Sequence, residues 1–293
     1  MLALVCLGEC VRNCDLVGVG RPVGPARGAV AVHQLAQSFG RDGVDRVKHD
    51  ANVRINGNKQ LILPMSFTRL DIPRPADSAW PGGSRQEAGV IMNILIIDNY
   101  DSFVYNIVGL LQRERAAAGG IRPDWDVVRN DVIPFGSLDR YDAIILSPGP
   151  GVPGEAGGLM RLVAEASHVP MLGICLGHQA IAQHYGARLC QLAHPRHGHP
   201  SVLTDIDPAD PLIGRCGDGR GVTVGRYHSW TVDETSLPSC LHVTSRDEEG
   251  HIMSMRHESL PTFGVQFHPE SVITTCGREL LHDFIVYAGE CSR

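Results

Sequence analysis

Met171-Leu172-Gly173-Ile174-Cys175-Leu176-Gly177-His178-Gln179 is the stretch on which the reading of this chain turns. A short apolar run, sized for a buried strand, passes through Gly-x-Cys-x-Gly into a segment with helical character. The layout parallels the Gly-x-Ser-x-Gly nucleophile elbow, in which the reactive residue sits on a sharp strand-to-helix turn. Flanking residues without a Cβ let the two arms of such a turn pack closely. The sulfur of Cys175 then lies at a helix N-terminus, where free N–H groups and the helix dipole favour an anion. A buried cysteine that merely packs in a tight turn has the same local pattern, so the motif alone leaves both readings open.

Outward from this turn, the chain alternates strands and helices. Asn93-Ile94-Leu95-Ile96-Ile97-Asp98 is a continuous apolar run of the kind found in parallel strands buried on both faces. Asp101 or Ser102 can cap a following helix, in which Phe103, Ile107, Leu110 and Leu111 share one face. Residues 125–129, 143–146 and 170–174 read as further strands, with helical stretches between several of them. This alternation predicts an α/β fold, an open, mostly parallel twisted sheet with helices on both faces. After about residue 187 the pattern turns strand-rich, with short strands at 201–203, 221–227, 241–244, 251–255 and 262–267, and a last helix over 277–288. There is no internal repeat.

Two other segments carry candidate chemistry. In Gly264-Val265-Gln266-Phe267-His268-Pro269-Glu270, Pro269 biases His268 toward extended backbone. Residues two apart on an extended chain face the same way, which would put His268 and Glu270 together. A carboxylate beside an imidazole orients the ring and stabilises its charged form, so His268 could exchange a proton with Cys175. A surface turn after a strand is the alternative. Leu146-Ser147-Pro148-Gly149-Pro150-Gly151 follows a strand and belongs at the C-terminal edge of the sheet, where open α/β folds bind ligands. A glycine there can offer its N–H to a developing oxyanion, although rigid Pro-Gly loops also occur for purely structural reasons.

Taken together, these three segments resemble the class I glutamine amidotransferases, over nearly all of residues 92–293. Asp98-Asn99-Tyr100-Asp101-Ser102-Phe103, the Ser147–Gly151 loop and Arg226-Tyr227-His228-Ser229-Trp230 resemble the branch serving chorismate-using enzymes, most of all anthranilate synthase component II. That branch also holds the glutaminase subunit of aminodeoxychorismate synthase. The resemblance implies a flavodoxin-like sheet and a Cys175–His268–Glu270 triad that opens L-glutamine through a thioester. It implies an oxyanion hole from the main-chain N–H groups of Gly149 and Leu176. It implies substrate contacts from Gly149, Pro150, Gly151, Gln179, Ser229 and Trp230, the last two partly through backbone. It further implies no metal or other cofactor in this component, and a chorismate-binding component I, or the aminodeoxychorismate synthase partner, as acceptor of the ammonia. Two positions depart from the branch: Trp230, often a smaller aliphatic residue, and His199, often lysine. A cysteine peptidase or chaperone-like α/β protein would share the elbow but not the His-Pro-Glu and Ser147–Gly151 segments.

Composition narrows the class. The 293 residues carry a net charge of −6, which gives no basic face for nucleic acid. No apolar run nears the ~20 residues that span a bilayer. Nine cysteines, odd in number and irregularly spaced, read as reduced thiols of a cytoplasmic protein. Residues 1–91 hold 11 basic and 8 acidic side chains and the remainder 15 and 24, a shift that can mark a boundary. Scattered Gly, Pro and Arg without sustained periodicity make 1–91 an expected N-terminal extension, disordered or arising from a misjudged start, and 92–293 the amidotransferase domain. Cys6, Cys10 and Cys14, four apart, match no common metal pattern. His194, His197 and His199 lie in a proline-flanked stretch without an adjacent carboxylate.

Overall fold

A computed structural model describes residues 51–55, 59–63, 90–114, 120–216 and 221–291. By contacts the chain divides into two units, residues 1–81 and 82–293. In the first, β1 (Ala51–Ile55) and β2 (Lys59–Leu63) pair antiparallel, Ala51 opposite Leu63 and Ile55 opposite Lys59. The remainder of 1–89, with Cys6, Cys10 and Cys14, lies outside the described residues.

The second unit is built on a nine-stranded sheet. Its elements are β3 (Val90–Asp98), α1 (Val104–Glu114), β4 (Ile121–Arg129), β5 (Ala143–Leu146), α2 (Leu159–Glu165), β6 (Met171–Ile174), α3 (Leu176–His184), β7 (Leu189–Gln191), β8 (His199–Thr204), β9 (Thr223–Arg226), β10 (Trp230–Val232), β11 (Leu241–Asp247), β12 (Ile252–His257), β13 (Thr262–Val265) and α4 (Gly277–Cys291). The strand order is β4-β3-β5-β6-β13-β12-β11-β8-β9, and β10 pairs separately with β7. The first five strands are parallel, in the 2-1-3-4-5 order of flavodoxin-like sheets. The other four are antiparallel. The strand-rich part is thus an extension of the same sheet, joined through β12.

Strand β3 shows why the parallel half is buried. Ile94 and Ile96 pack with α1 and α4, through Ile107, Leu111, Leu280 and Phe284. Leu95 and Ile97 point the other way, toward Leu159, Leu162, Ala180 and Ile181 of α2 and α3. A side-chain period of two between two helical layers requires every residue to be apolar. Pairing begins at Val90, opposite Ile121, two residues before Met92; Val90 and Ile91 are exposed.

The site is positioned by adjacency. Strand order reverses between β3 and β5, the kind of switch point at which α/β sheets bind ligands. The loops after β3, β5, β6 and β13 all leave the same sheet edge from neighbouring strands.

Candidate active site

Cys175 follows β6 at φ 52° and ψ −98° and immediately precedes α3. A non-glycine residue at positive φ is strained and persists only where its surroundings impose it. Here the two flanking glycines impose it. A Cβ on Gly173 would fall 2.5 Å from the Gly177 carbonyl, and one on Gly177 would fall 2.5 Å from the Leu146 carbonyl oxygen. The turn is pinned further by the Cys175 N–H, which donates to the Val265 carbonyl at 2.8 Å. Leu176, first residue of α3, has one of the N–H groups that a helix start leaves without an intrahelical acceptor.

The loop after β5 meets this turn. A Cβ on Gly149 would sit 2.7 Å from Leu176 Cδ2 and 2.6 Å from Asn99 Cβ, so only glycine fits between β3 and α3. Asn99 braces the loop. Its N–H donates to Ser147 Oγ at 3.0 Å and its side-chain amide to the Ser147 carbonyl at 2.9 Å. Asn130 in turn donates to Asn99 Oδ1 at 3.1 Å. Gly151, at φ 75°, and Pro150 are exposed.

His268 is 2% exposed. Its Nδ1 donates to Glu270 Oε1 at 2.7 Å, while the buried Nε2 has no hydrogen-bond partner. Burial works to lower the pKa of this imidazole, but the charges of Glu270 and Cys175 outweigh it and hold the ring well above its ordinary value. The rings of Tyr227 and Phe103 lie 4.8 and 5.4 Å from it, both edge-on. The backbone differs from the extended chain that the sequence suggested. β13 ends at Val265, and residues 268–271 form a turn closed by the Ser271 N–H on the His268 carbonyl at 3.2 Å. The turn, not strand alternation, brings His268 and Glu270 together.

Cys175, Leu176, Gly149, His268, Glu270 and Gln179 are therefore gathered at the mouth formed by adjacent strands. Trp230 joins through its backbone: its carbonyl accepts from Gln179 Nε2 and His228 Nδ1, each at 2.8 Å. The Ser229 carbonyl is taken by the Leu192 N–H at 2.8 Å.

The family model for glutamine amidotransferase class-I matches residues 95–288. The chain belongs to the class I glutamine amidotransferases. It is 36% identical to the bifunctional protein TrpGD of Thermotoga maritima over 84% of this chain, although it spans only 39% of that protein's length. It is 41% identical to the aminodeoxychorismate/anthranilate synthase component 2 of Bacillus subtilis, over 66% of this chain and 95% of that one. Among solved structures, a GMP synthase-type protein of Thermoplasma acidophilum superposes with a TM-score of 0.59 at 25% identity, over 68% of this chain and 94% of that one.

Several residues that shape this amidotransferase site escaped the sequence reading. Arg226, fully buried, forms an ion pair with buried Asp247. Its Nε donates to His228 Nε2 at 3.1 Å and its Nη1 to Ser201 Oγ at 3.3 Å. Burial, with the charge of Arg226 next, pushes His228 down to about 3, so it is a neutral relay from Arg226 to the Trp230 carbonyl. Burial likewise pushes His178 down to about 4; it packs on Gly264, where a Cβ would fall 2.7 Å from Nδ1. Phe103, Tyr227, Arg226 and His228 all lie in the segments that carried the family resemblance, but nothing in a linear sequence marks which charges are buried.

Asp247, Glu249 and His251 are, among the described residues, the one group of three whose potential ligand atoms cluster, within 4.8 Å. His194, His197 and His199 do not. Asp247 is already engaged by Arg226, by His251 Nδ1 and by the N–H groups of Glu249 and His251. No helix among the described residues is long and apolar enough to cross a membrane.

Proposed function

We propose that this chain is the glutaminase component of anthranilate synthase, hydrolysing L-glutamine and delivering ammonia to a chorismate-binding component I. The observation that carries this reading is the buried His268, whose Nδ1 donates to Glu270 at 2.7 Å and whose Nε2 is left unpartnered for exchange of a proton with Cys175. His268 takes the thiol proton as the Cys175 sulfur attacks the side-chain carbonyl of glutamine. The oxyanion is held by the N–H groups of Leu176 and Gly149. Collapse expels ammonia, to which His268 returns the proton, and leaves a glutamyl thioester. Water, deprotonated by His268, then releases glutamate. Gln179 and the Ser229–Trp230 backbone hold the substrate, with Pro150 and Gly151 at the rim. The half-reaction uses these groups and water alone, with no metal or cofactor.

Ammonia released into water is protonated near neutral pH and lost to the reaction, so the acceptor must dock on this chain. The para-aminobenzoate branch is the second reading, favoured by the Bacillus relative, whose name carries both activities. Reconstitution of the full chain with either chorismate enzyme tests the assignment. Anthranilate should form from chorismate and glutamine only with component I present, and glutaminase activity should rise on its addition. Full glutaminase rate in the isolated chain, unchanged by either partner, would contradict it.

A further inference from the structure

A chain of buried hydrogen bonds runs from the antiparallel half of the sheet to α3, one helical turn beyond Cys175. It starts at Arg226, the last residue of β9, which is paired with Asp247 of β11. Arg226 Nε donates to His228 Nε2 at 3.1 Å, and His228 Nδ1 lies 2.8 Å from the Trp230 carbonyl oxygen. Gln179 Nε2 lies 2.8 Å from the same oxygen and 3.2 Å from Gln266 Oε1. Arg226, His228, Gln179 and Gln266 are each no more than 4% exposed. None of these hydrogen bonds involves Cys175, His268 or Glu270.

The direction of every link is forced by its two ends. A guanidinium only donates and a carbonyl only accepts. His228 must therefore accept at Nε2 and donate from Nδ1, which makes the ring neutral and confines it to the Nδ1–H tautomer. That is the form less favoured by a histidine side chain in water, so the Arg226 donor is what excludes the other. Gln179 must likewise turn its amide nitrogen to the Trp230 carbonyl. Both hydrogens of that nitrogen are then committed, to Trp230 and Gln266, and the group it has left to offer a substrate is its carbonyl oxygen. The neighbouring carbonyls are tied off as well, that of His228 by the Arg196 N–H at 2.9 Å and that of Ser229 by the Leu192 N–H at 2.8 Å.

We propose that Arg226 is a positioning residue of the glutaminase reaction: it fixes the His228 tautomer that holds the Trp230 carbonyl and, through that carbonyl, the face that Gln179 turns to the substrate. The inference rests on the glutaminase reading, which assigns Gln179 and the Ser229–Trp230 backbone to glutamine. Without the Arg226 donor, Nε2 can take the proton, and the bare Nδ1 then faces the lone pairs of the Trp230 carbonyl. The 228–230 segment and Gln179 lose their common anchor, while Cys175 and His268 keep theirs. Arg226 therefore acts on binding of glutamine rather than on its chemistry. Lysine cannot replace it, because an ammonium that stays with Asp247 gives up the fork that also reaches His228 and Ser201.

The test compares the full chain with Arg226→Lys and with the pair Arg226→Met/Asp247→Leu, which removes both charges together. Glutamate release is titrated with L-glutamine, and the His228 ring nitrogens are followed by NMR, assigned by their absence in His228→Gln. In the parent, Nδ1 should carry the proton and Nε2 should not. In each variant that folds, KM for glutamine should rise at least about tenfold while kcat changes less than about threefold, and the proton should move toward Nε2. A parent His228 protonated at Nε2 overturns the proposal. So does a KM within about twofold of the parent, or a loss confined to kcat. A parent without glutaminase activity, alone and with a chorismate enzyme, would instead remove the glutaminase reading and the proposal with it.

Discussion

The two sides of the catalytic mouth are built by different physics. The nucleophile side, on the parallel half of the sheet, is shaped by exclusion: Gly149, Gly173 and Gly177 stand where any Cβ would collide, and the strained Cys175 is held by that fit. The base side, where β13 meets the antiparallel half, is shaped by buried polarity. It carries the His268–Glu270 pair and, behind it, Arg226, Asp247 and His228. Sterics tolerate no partial solution, because a clash with backbone has nowhere to relax. A polar network degrades in steps, as each lost partner leaves a desolvated group behind.

That contrast can be broken at either side. The largest effect is expected from Gly173→Ala. Its methyl would meet the Gly177 carbonyl at 2.5 Å inside a fully buried turn, and the chain should lose more than about 4 kcal/mol of stability or fail to fold. Thermal unfolding near that of the parent would show the turn to be pliable. Next, Arg226→Met removes the arginine of a buried ion pair and leaves Asp247 with His251 and main-chain N–H groups alone, at a cost of about 3 kcal/mol. Adding Asp247→Leu should recover part of that cost in denaturant unfolding, whereas an additive loss would mean that the two side chains stabilise independently.

Glu270→Gln keeps the shape but removes the charge that raises the pKa of His268, leaving burial to pull it below the present value. The glutaminase rate should fall about 10²–10³-fold, and the His268 resonance in a nitrogen-labelled chain should titrate at lower pH than in the parent. A rate loss without that shift would reduce Glu270 to a packing role. The smallest effect concerns acid. His178 and His228 are pushed down to about 4 and about 3 in the folded chain, so below the unfolded histidine pKa of about 6.5 the unfolded state binds the extra proton and stability falls. Between pH 7 and pH 5 each should contribute a loss of about 2 kcal/mol. His268, raised in the folded state, works in the opposite sense, its contribution present at low pH and lost as pH rises through its folded pKa. In denaturant titrations the pH 7-to-5 loss should be smaller in His228→Gln than in the parent; an equal loss would mean that His228 does not titrate on unfolding as argued.

The same contrast explains what could be read without a structure. The nucleophile side was legible because sterics writes itself into sequence: a continuous apolar β3, and glycines two before and two after Cys175. His268 and Glu270 were legible as a pair, but through the wrong geometry, since a turn closed by Ser271 does what strand alternation was expected to do. The pairing of Arg226 with Asp247 was not legible at all. The two residues lie 21 residues apart on strands β9 and β11, whose places in the sheet are set through β8 and β12. The short strands after residue 187 carried no signal of which would extend the main sheet and which, like β10 and β7, would pair apart.

In the proposed reaction Cys175 forms a covalent bond to the glutamyl group with His268 as its proton carrier. Acid quenching during turnover of carbon-labelled L-glutamine, followed by peptide mapping, tests it directly. Label is expected on the peptide bearing Cys175, gone in Cys175→Ser and strongly reduced in His268→Asn. Glutamate formation with no covalent label, or label on any other cysteine, would contradict it.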